Sequence, residues 1–502
     1  MTDNPKVRPR GLSKSKILQA RQCPKRLWLQ AHRPELGEEG AEQRQRLEGG
    51  TQFGELARAL LGSGRLIEHF GDLSQALVES RTLIDECRPG DQLFEAALSH
   101  DGVLVRADAL ERTVSGWVLT EVKSSTEVKP HHLEDVAVQA WVTQQAGLEV
   151  REIRIGLVDN QFVYRKLGDY EGLLKSEAVD AAVQPLLAKV DGWVAAARKT
   201  LAGHIPEIAT GPHCSTPFEC PFYGHCCAEE PPPPEFPVES LPHGGRTVAK
   251  LLAEGFRDLR EVPLERLSSA RHRRIAEVAR SGQPFLDPAI RRELGALPYP
   301  RRYLDFETIG FAVPRWIGTR PYQQVPFQLS CHIESARGAV NHAGFLDLSG
   351  DSPIESFANA LLEACGEHGP IVVYNASFEV ARIRALADWL PDRAPRLLAL
   401  IARIYDLLPA IRNHYYHPAM QGSFSIKAVL PTLVPELDYA KLQGVRDGGE
   451  AQEAYLEAIA PQTLPERRTE LRNALLTYCA RDTEAMLRLS DVLQSPVPET
   501  GQ

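Results

Sequence analysis

Two short stretches of the chain place acidic side chains where a divalent cation could be held. In "YLDFET", Asp305 and Glu307 stand two residues apart within an apolar run, so on a strand both carboxylates leave the same face. In "LVRADALERTVSGWVLTEVKSST", Asp108 lies on one apolar segment and Glu121 and Lys123 on the next, with "TVSG" as the turn between them. On paired strands, Glu121 and Lys123 would point together toward Asp108. Carboxylates so arranged can hold an ion that polarises a phosphate and activates water, and a lysine can stabilise developing charge or position the nucleophile. The competing reading of alternate charges on a strand is a solvated face.

Further candidates sit on neighbouring elements. "HHLEDVAVQAWVTQQAGL" reads as a helix that places Gln139 one element after Lys123. "IVVYNASFEVARI" runs from a strand into a helix with Asn375 and Glu379 four apart, and "LLTYCARDTEAMLRL" sets Tyr478 and Asp482, again four apart, on one helical face. Glu95 in "QLFEAAL" precedes Asp108 by one strand and could add a carboxylate. His69 in "RLIEHFG" and Asp406 in "RIYDLLP" are candidate ligands whose competing readings are a surface histidine and a strand-end residue. Lys427 in "GSFSIKAVLP" reads either as a phosphate contact or as part of a helix start capped by Ser425. The stretch "GFAVPRWIGTRPYQQVPFQ", with Arg315, Trp316, Arg320 and Tyr322, suits base stacking with phosphate contact, or a well-packed surface loop.

A different chemistry is written in "CSTPFECPFYGHC", where Cys214, Cys220 and Cys226 recur at six-residue steps. Thiolates at short fixed spacings suit zinc or an iron–sulfur cluster, and either needs four ligands. Cys227 is adjacent to Cys226 and badly placed to share the group, while Cys87, Cys331, Cys365 and Cys479 fall in patterns typical of buried small apolar residues. Cys23 in "SKILQARQCPKRLWLQ" remains, with Pro24 at a helix boundary able to present its thiolate. One early ligand and three late ones would tie both ends of one domain around a metal.

The bulk composition suits this assignment. Nine cysteines in 502 residues is an odd number, and "MTDNPKVRPR" has no apolar signal-peptide core, so a reduced, cytoplasmic protein is expected. No run reaches the roughly 18 apolar residues of a membrane span. A net charge of −9 means that nucleic acid would have to be met by local basic grooves rather than an overall positive field. The run "AEEPPPPEFP" reads as a linker. Before it are expected an N-terminal helical stretch, a strand-rich centre over residues 92–165 and a long helical pattern over 170–203. After it come short helices resembling a helix-hairpin-helix spacer, then apolar strands alternating with helices from "YPRRYLDFE" onward.

Asp108, "EVK" and Gln139, framed by Cys23 and the late cysteines, resemble the RecB-type PD-(D/E)XK nucleases that carry a 4Fe–4S cluster. The resemblance covers residues 11–228. It implies that Asp108 and Glu121 ligate metal, that Lys123 is the catalytic lysine, that Gln139 supports the site, and that Cys23, Cys214, Cys220 and Cys226 hold the cluster. Even six-residue steps depart from the usual C-x2-C-x5-C, which keeps zinc as an alternative. The three later motifs resemble those of DnaQ-like 3′-5′ exonucleases of the DEDDy subclass, with an RNase H-like fold. By that resemblance Asp305, Glu307 and Asp482 ligate Mg²⁺ or Mn²⁺ and Tyr478 orients the attacking water. Glu379 stands where the family usually has Asp, so the second metal would sit differently.

The implied whole is α/β and multidomain: a RecB-like module at 11–228, a proline linker and helical spacer at 229–298, and a DnaQ-like domain at 299–495. The expected activity is metal-dependent hydrolysis of DNA phosphodiesters, on single strands or free ends, in repair, recombination or defence. An RNA-directed exonuclease and a nucleic-acid-binding scaffold with vestigial sites are the rivals.

Overall fold

The computed structural model describes residues 11–38, 41–69, 71–439, 442 and 444–495. The chain is a mixed α/β protein of two compact units. The first comprises Met1–Pro231 with Phe311–Gln323, and the second Pro232–Gly310 with Gln324–Gln502. The break falls inside the proline run, whose residues lack backbone donors and favour extended chain. The helical spacer is no separate body: it clusters with the region after it.

The first unit opens with β1 (Leu12–Ser13), α1 (Lys14–Gln22), α2 (Pro24–His32), α3 (Ala41–Leu61), β2 (Arg65–Leu66) and α4 (Leu73–Glu86). There follow β3 (Gln92–His100), β4 (Val103–Arg112), β5 (Trp117–Lys123), α5 (Pro130–Gln145), β6 (Val150–Val158) and β7 (Leu174–Ala178). It closes with α6 (Asp180–Leu187), α7 (Val190–Ala202) and α8 (Tyr223–Glu229). Its sheet runs β2-β3-β4-β5-β6-β7, with β1 also pairing β4. β3, β4 and β5 form an antiparallel meander, while β5 and β6 are parallel, which requires the crossover that α5 provides. Ile17, Leu27, Leu93, Leu119, Val136 and Ile155 meet in its core.

The helical pattern over 170–203 holds from Asp180 onward, and its first part is a strand. The chain forms β7 and then two helices, because a strand at the sheet edge can pair with β6 while Asp180 accepts the Ile153 N–H and starts α6. The Phe311–Gln323 stretch packs as a loop of the first unit. Gly318 and Thr319 exchange backbone hydrogen bonds with Tyr164, Arg315 stacks on Phe311, and Trp316 is buried.

The second unit contains α9 (Gly245–Ala253), α10 (Ala270–Ser281), β8 (Phe285–Leu286), α11 (Ala289–Gly295), β9 (Arg301–Ile309), β10 (Val325–Ala336) and β11 (Ala339–Leu346). Next come α12 (Ile354–Cys365), β12 (Ile371–Val373), α13 (Ser377–Trp389), α14 (Ala394–Ile401), β13 (Ile404–Asp406), α15 (Leu407–His414) and β14 (Tyr415–Tyr416). The last helices are α16 (Ile426–Leu433), α17 (Gly448–Ile459) and α18 (Pro465–Gln494). The main sheet is β11-β10-β9-β12-β13, antiparallel on the β10 side and parallel on the β12 side, so β9 is its centre. α18 packs against β9 and β10. No described helix is long and apolar enough to cross a membrane.

Candidate metal centres

The cysteines come together because α1 and α2 lie against α7, which brings the start of the unit to its end. Cys23 ends α1 and precedes Pro24, the first residue of α2, so the chain bends there with the thiol at the corner. The neighbouring Gln22 amide donates to His213 O at 2.8 Å and Phe218 O at 2.6 Å, clamping the late cysteine loop onto this corner. Cys23, Cys214, Cys220 and Cys226 line one small cavity with Lys25 and Arg26 at its wall. Burial raises the thiol pKa of Cys220 and Cys226, and Arg26 and Lys25 respectively oppose that rise. Cys227 is exposed and does not line the cavity. Tetrahedral zinc with Zn–S near 2.3 Å would draw the sulfurs to roughly 3.8 Å of one another. No three of the four come within 4.8 Å.

In the first unit's sheet, Asp108 on β4 and Glu121 on β5 are neighbours across the antiparallel pair, as the turn at 113–116 dictates. The site is no solvated strand face, since Glu121 is only 2% exposed. Asp108 accepts the Val122 N–H at 2.7 Å, and its pKa is raised by burial and then by repulsion from Glu121. Lys123 donates to Glu121 at 2.6 Å and also to Asp135. Lys14 lies 2.9 Å from both of the same carboxylates. Gln139 donates to Glu121 and, at 3.2 Å, to Asp135, while its own Oε1 is buried without a partner among the described residues. Burial would raise the Asp135 pKa, but the two lysines outweigh it and hold the group below the ordinary carboxylate range.

Lys14 and Asp135 were missed in the sequence. Asp135 precedes Gln139 by one helical turn and so shares its face, a signal that was readable. Lys14 is 107 residues from Glu121, and nothing local marks it. Glu95 faces this site with its pKa raised by burial and with Arg58 as an ion-pair partner at 3.2 Å. His69 is exposed and pairs with Glu79.

The second unit's site is built on β9. Asp305 and Glu307 leave one face of this central strand, and α18, packed on it, adds Tyr478, Cys479 and Asp482. Potential ligand atoms of Asp305, Glu307 and Cys479 all lie within 4.8 Å of one another. Cys479, expected only as an apolar filler, is thus also at the site. Glu379, in the first turn of α13, is 2% exposed, and its Oε2 has no hydrogen-bond partner among the described residues.

Asp406 has structural partners: its carboxylate caps α15 and accepts the Asn375 and Ala376 N–H groups, holding the junction from which Glu379 projects. Asn375 has φ of 77° there, a conformation Asn tolerates better than most. Ser425 does cap α16. Lys427, two residues on, nevertheless stands 5.4 Å from the Tyr478 ring and donates to Arg446 O at 2.7 Å. Tyr439, unmarked by any motif, donates to Asp482 at 2.5 Å.

Charge in this site is undercompensated. Asp305 is raised well above its ordinary pKa by burial and then by Asp482, Glu307 and Glu379. Burial and Asp482 push Glu307 up to about 8, burial and Asp406 push Glu379 up to about 8, and burial lifts Asp482 to about 6 despite the Tyr439 hydrogen bond and Lys427. Burial likewise keeps the Tyr478 phenol protonated.

A carboxyl raised in the fold keeps a proton that the unfolded chain releases near 4.5. The stabilisation is complete below that value and is lost as pH rises toward 8, at roughly 1.4 kcal/mol per unit per group at most. The metal-free second unit should therefore melt at progressively lower temperature from pH 5 to 8, and saturating Mg²⁺ should flatten that slope. Calorimetry in chelator and in Mg²⁺ checks both; a rise in stability over this range without metal would contradict the assignment.

A family model described as a domain of unknown function, DUF2779, matches residues 302–425. It spans the strand of Asp305 and Glu307, the junction of Glu379 and the cap at Asp406, and stops before Tyr478 and Asp482. No curated protein matches the chain.

Proposed function

We propose that the protein is a metal-dependent nuclease with two active sites, a DnaQ-like 3′-5′ exonuclease site in the second unit and a RecB-like PD-(D/E)XK site in the first. The observation that carries this reading is the convergence of half-buried Asp305 with buried Glu307, Glu379 and Asp482, with a Glu379 oxygen that has no hydrogen-bond partner among the described residues. Buried carboxylates without matching cations are costly, and such a set persists where a multivalent cation is its working partner. The donors are mainly hard oxygens, which suit Mg²⁺ or Mn²⁺.

Asp305, Glu307 and Asp482 would hold the ions, and Glu379 would reach them with one methylene more than Asp has. A bound divalent ion supplies Lewis acidity to phosphate oxygens and lowers the pKa of water. The protonated Tyr478 hydroxyl can donate to that water or to a phosphate oxygen and so fix the line of attack. Lys427 brings a positive charge to the same place. The motif order supports the DnaQ-like reading: central strand, strand–helix junction, late helix. DNA as substrate follows from the resemblance and from the phosphodiester chemistry that such a site performs.

In the first unit, the neutral arrangement of two lysines with Glu121 and Asp135 favours a second reading, in which that unit grips nucleic acid without cutting it. Cleavage of end-labelled single- and double-stranded DNA and RNA, with and without Mg²⁺ or Mn²⁺, tests the whole proposal. Binding without metal-dependent cleavage on any substrate would defeat it.

The group we propose for the cysteine cavity is the 4Fe–4S cluster that the resemblance implies, held by Cys23, Cys214, Cys220 and Cys226, with Lys25 and Arg26 offsetting the negative charge of the thiolates. Protein purified without oxygen should be brown, with about four iron and four sulfide per chain. Cys220→Ser should release both and lower the melting temperature of the first unit. Colourless protein with stoichiometric zinc would refute the cluster.

A further inference from the structure

We propose that Lys14 is the resident cation of the first unit's site: its ammonium neutralises Glu121 and Asp135 beside the place, at Asp108 and Glu121, that a divalent ion takes on loading, so the ion and Lys14 exclude one another. This rests on reading that site as a metal centre. Lys14 Nζ lies 2.9 Å from Glu121 Oε1 and 2.9 Å from Asp135 Oδ1, and Lys123 bridges the same two carboxylates. The four side chains thus form a closed ring of alternating charge, neutral as it stands. Of the nearby carboxyls, Asp108 is hydrogen-bonded to the Val122 N–H and Glu95 is paired with Arg58.

A divalent ion held by Asp108 and Glu121 would add two positive charges where only Asp108 is uncompensated. Glu121, Asp135 and Gln139 are all buried, so like-charge repulsion there is weakly screened. One ammonium has to leave. Lys123 makes the closer contacts, at 2.6 Å to Glu121 and closer still to Asp135. Lys14, 2.9 Å from each carboxylate, is the more loosely held, and its four-methylene stem starts at the first residue of α1 with a side chain that, like that of Lys123, is 20% exposed. Such a side chain can carry its charge outward while its stem stays on the protein. Ser13, which caps α1 through the Lys16 N–H, fixes where that stem begins.

Two measurements test the exclusion. The first uses full-length chain carrying Asp305→Asn and Asp482→Asn, so that only the first site takes metal, titrated with Mn²⁺ and followed by the electron paramagnetic resonance of the free ion. Lys14→Met in this background should bind Mn²⁺ roughly tenfold tighter, as a coupling of ordinary size would give, and Lys14→Arg should bind no tighter than the parent. The second uses the unaltered chain, so it decides the matter even if Lys14→Met does not fold. Reductive methylation of the Lys14 amine, read by mass spectrometry, should quicken roughly tenfold when Mn²⁺ is added, by the same coupling.

Equal Mn²⁺ affinity in parent and Lys14→Met, or methylation of Lys14 that Mn²⁺ does not quicken, overturns the exclusion while leaving the metal site intact. No Mn²⁺ bound to either chain, with Asp108→Asn making no difference, overturns the metal site itself and the proposal with it.

Discussion

Asp305→Asn will abolish stepwise trimming from 3′ ends and, in the same molecule, raise the melting temperature measured in chelator. Asp305 lies among Asp482, Glu307 and Glu379 and is driven above its ordinary pKa by burial and by all three. Replacing its carboxyl with an amide of nearly the same shape removes a group that at neutral pH must either take up a proton or carry charge among other carboxyls on folding, which in the metal-free protein is a relief. A gain of about 1 kcal/mol or more is expected, a few degrees for a unit of this size. The same change removes a proposed metal ligand on the central strand, and the loss of several kcal/mol of transition-state stabilisation corresponds to a rate fall on the order of a thousandfold. The stabilisation that Mg²⁺ gives the parent should shrink or vanish. Calorimetry with and without Mg²⁺, beside a trimming assay, reads all three effects. A variant less stable than the parent in chelator, or one still trimming at near-parent rate, would show that these carboxylates are not poised for a metal.

Lys123→Ala should act in the opposite sense on the first unit: cleavage there disappears and stability falls. Lys123 and Lys14 share Glu121 and Asp135, so deleting one ammonium leaves a buried carboxylate undercompensated. Removing one partner of a buried pair costs about 3–5 kcal/mol. The 20% exposure of the lysine side chains brings the expectation down to about 2 kcal/mol. Because the two sites are built on separate sheets in separate units, their variants should be nearly additive. Lys123→Ala should keep 3′ trimming, Asp305→Asn should keep the other product pattern, and the double variant should be inactive. If Asp305→Asn alone ended all cleavage, the proposed role of the first unit would be reduced to gripping nucleic acid. If Lys123→Ala alone did so, the Glu379 site would be the vestigial one.

What could be read from the chain alone was what lies within one element or across one turn. Asp305 and Glu307 share a face because strands repeat every two residues, and Tyr478 and Asp482 because helices repeat near every four. The pairing of Asp108 with Glu121 follows from a short turn joining adjacent strands. Cys214, Cys220 and Cys226 announce themselves by spacing, and Cys23 could be added only because the other cysteines fitted apolar patterns. The helical pattern over 170–203 gave way to a strand at Leu174–Ala178 because local apolar pattern does not say whether a sheet edge is waiting to pair. Phe311–Gln323 looked like part of the second half and packs with the first unit.

The sequence by itself therefore determined which residue types stand at which step of each strand and helix, and with them the candidate chemistry of both sites and of the cysteines. Tertiary structure alone decided how each site is charged. Lys14 reaches Glu121 across 107 residues, and Tyr439 reaches Asp482 across 43. Contacts of that range are set by which surfaces pack, and local periodicity carries no record of them. The physical result is two acidic sites of unlike condition: one neutralised by two lysines, the other with carboxyls held protonated by burial and mutual repulsion.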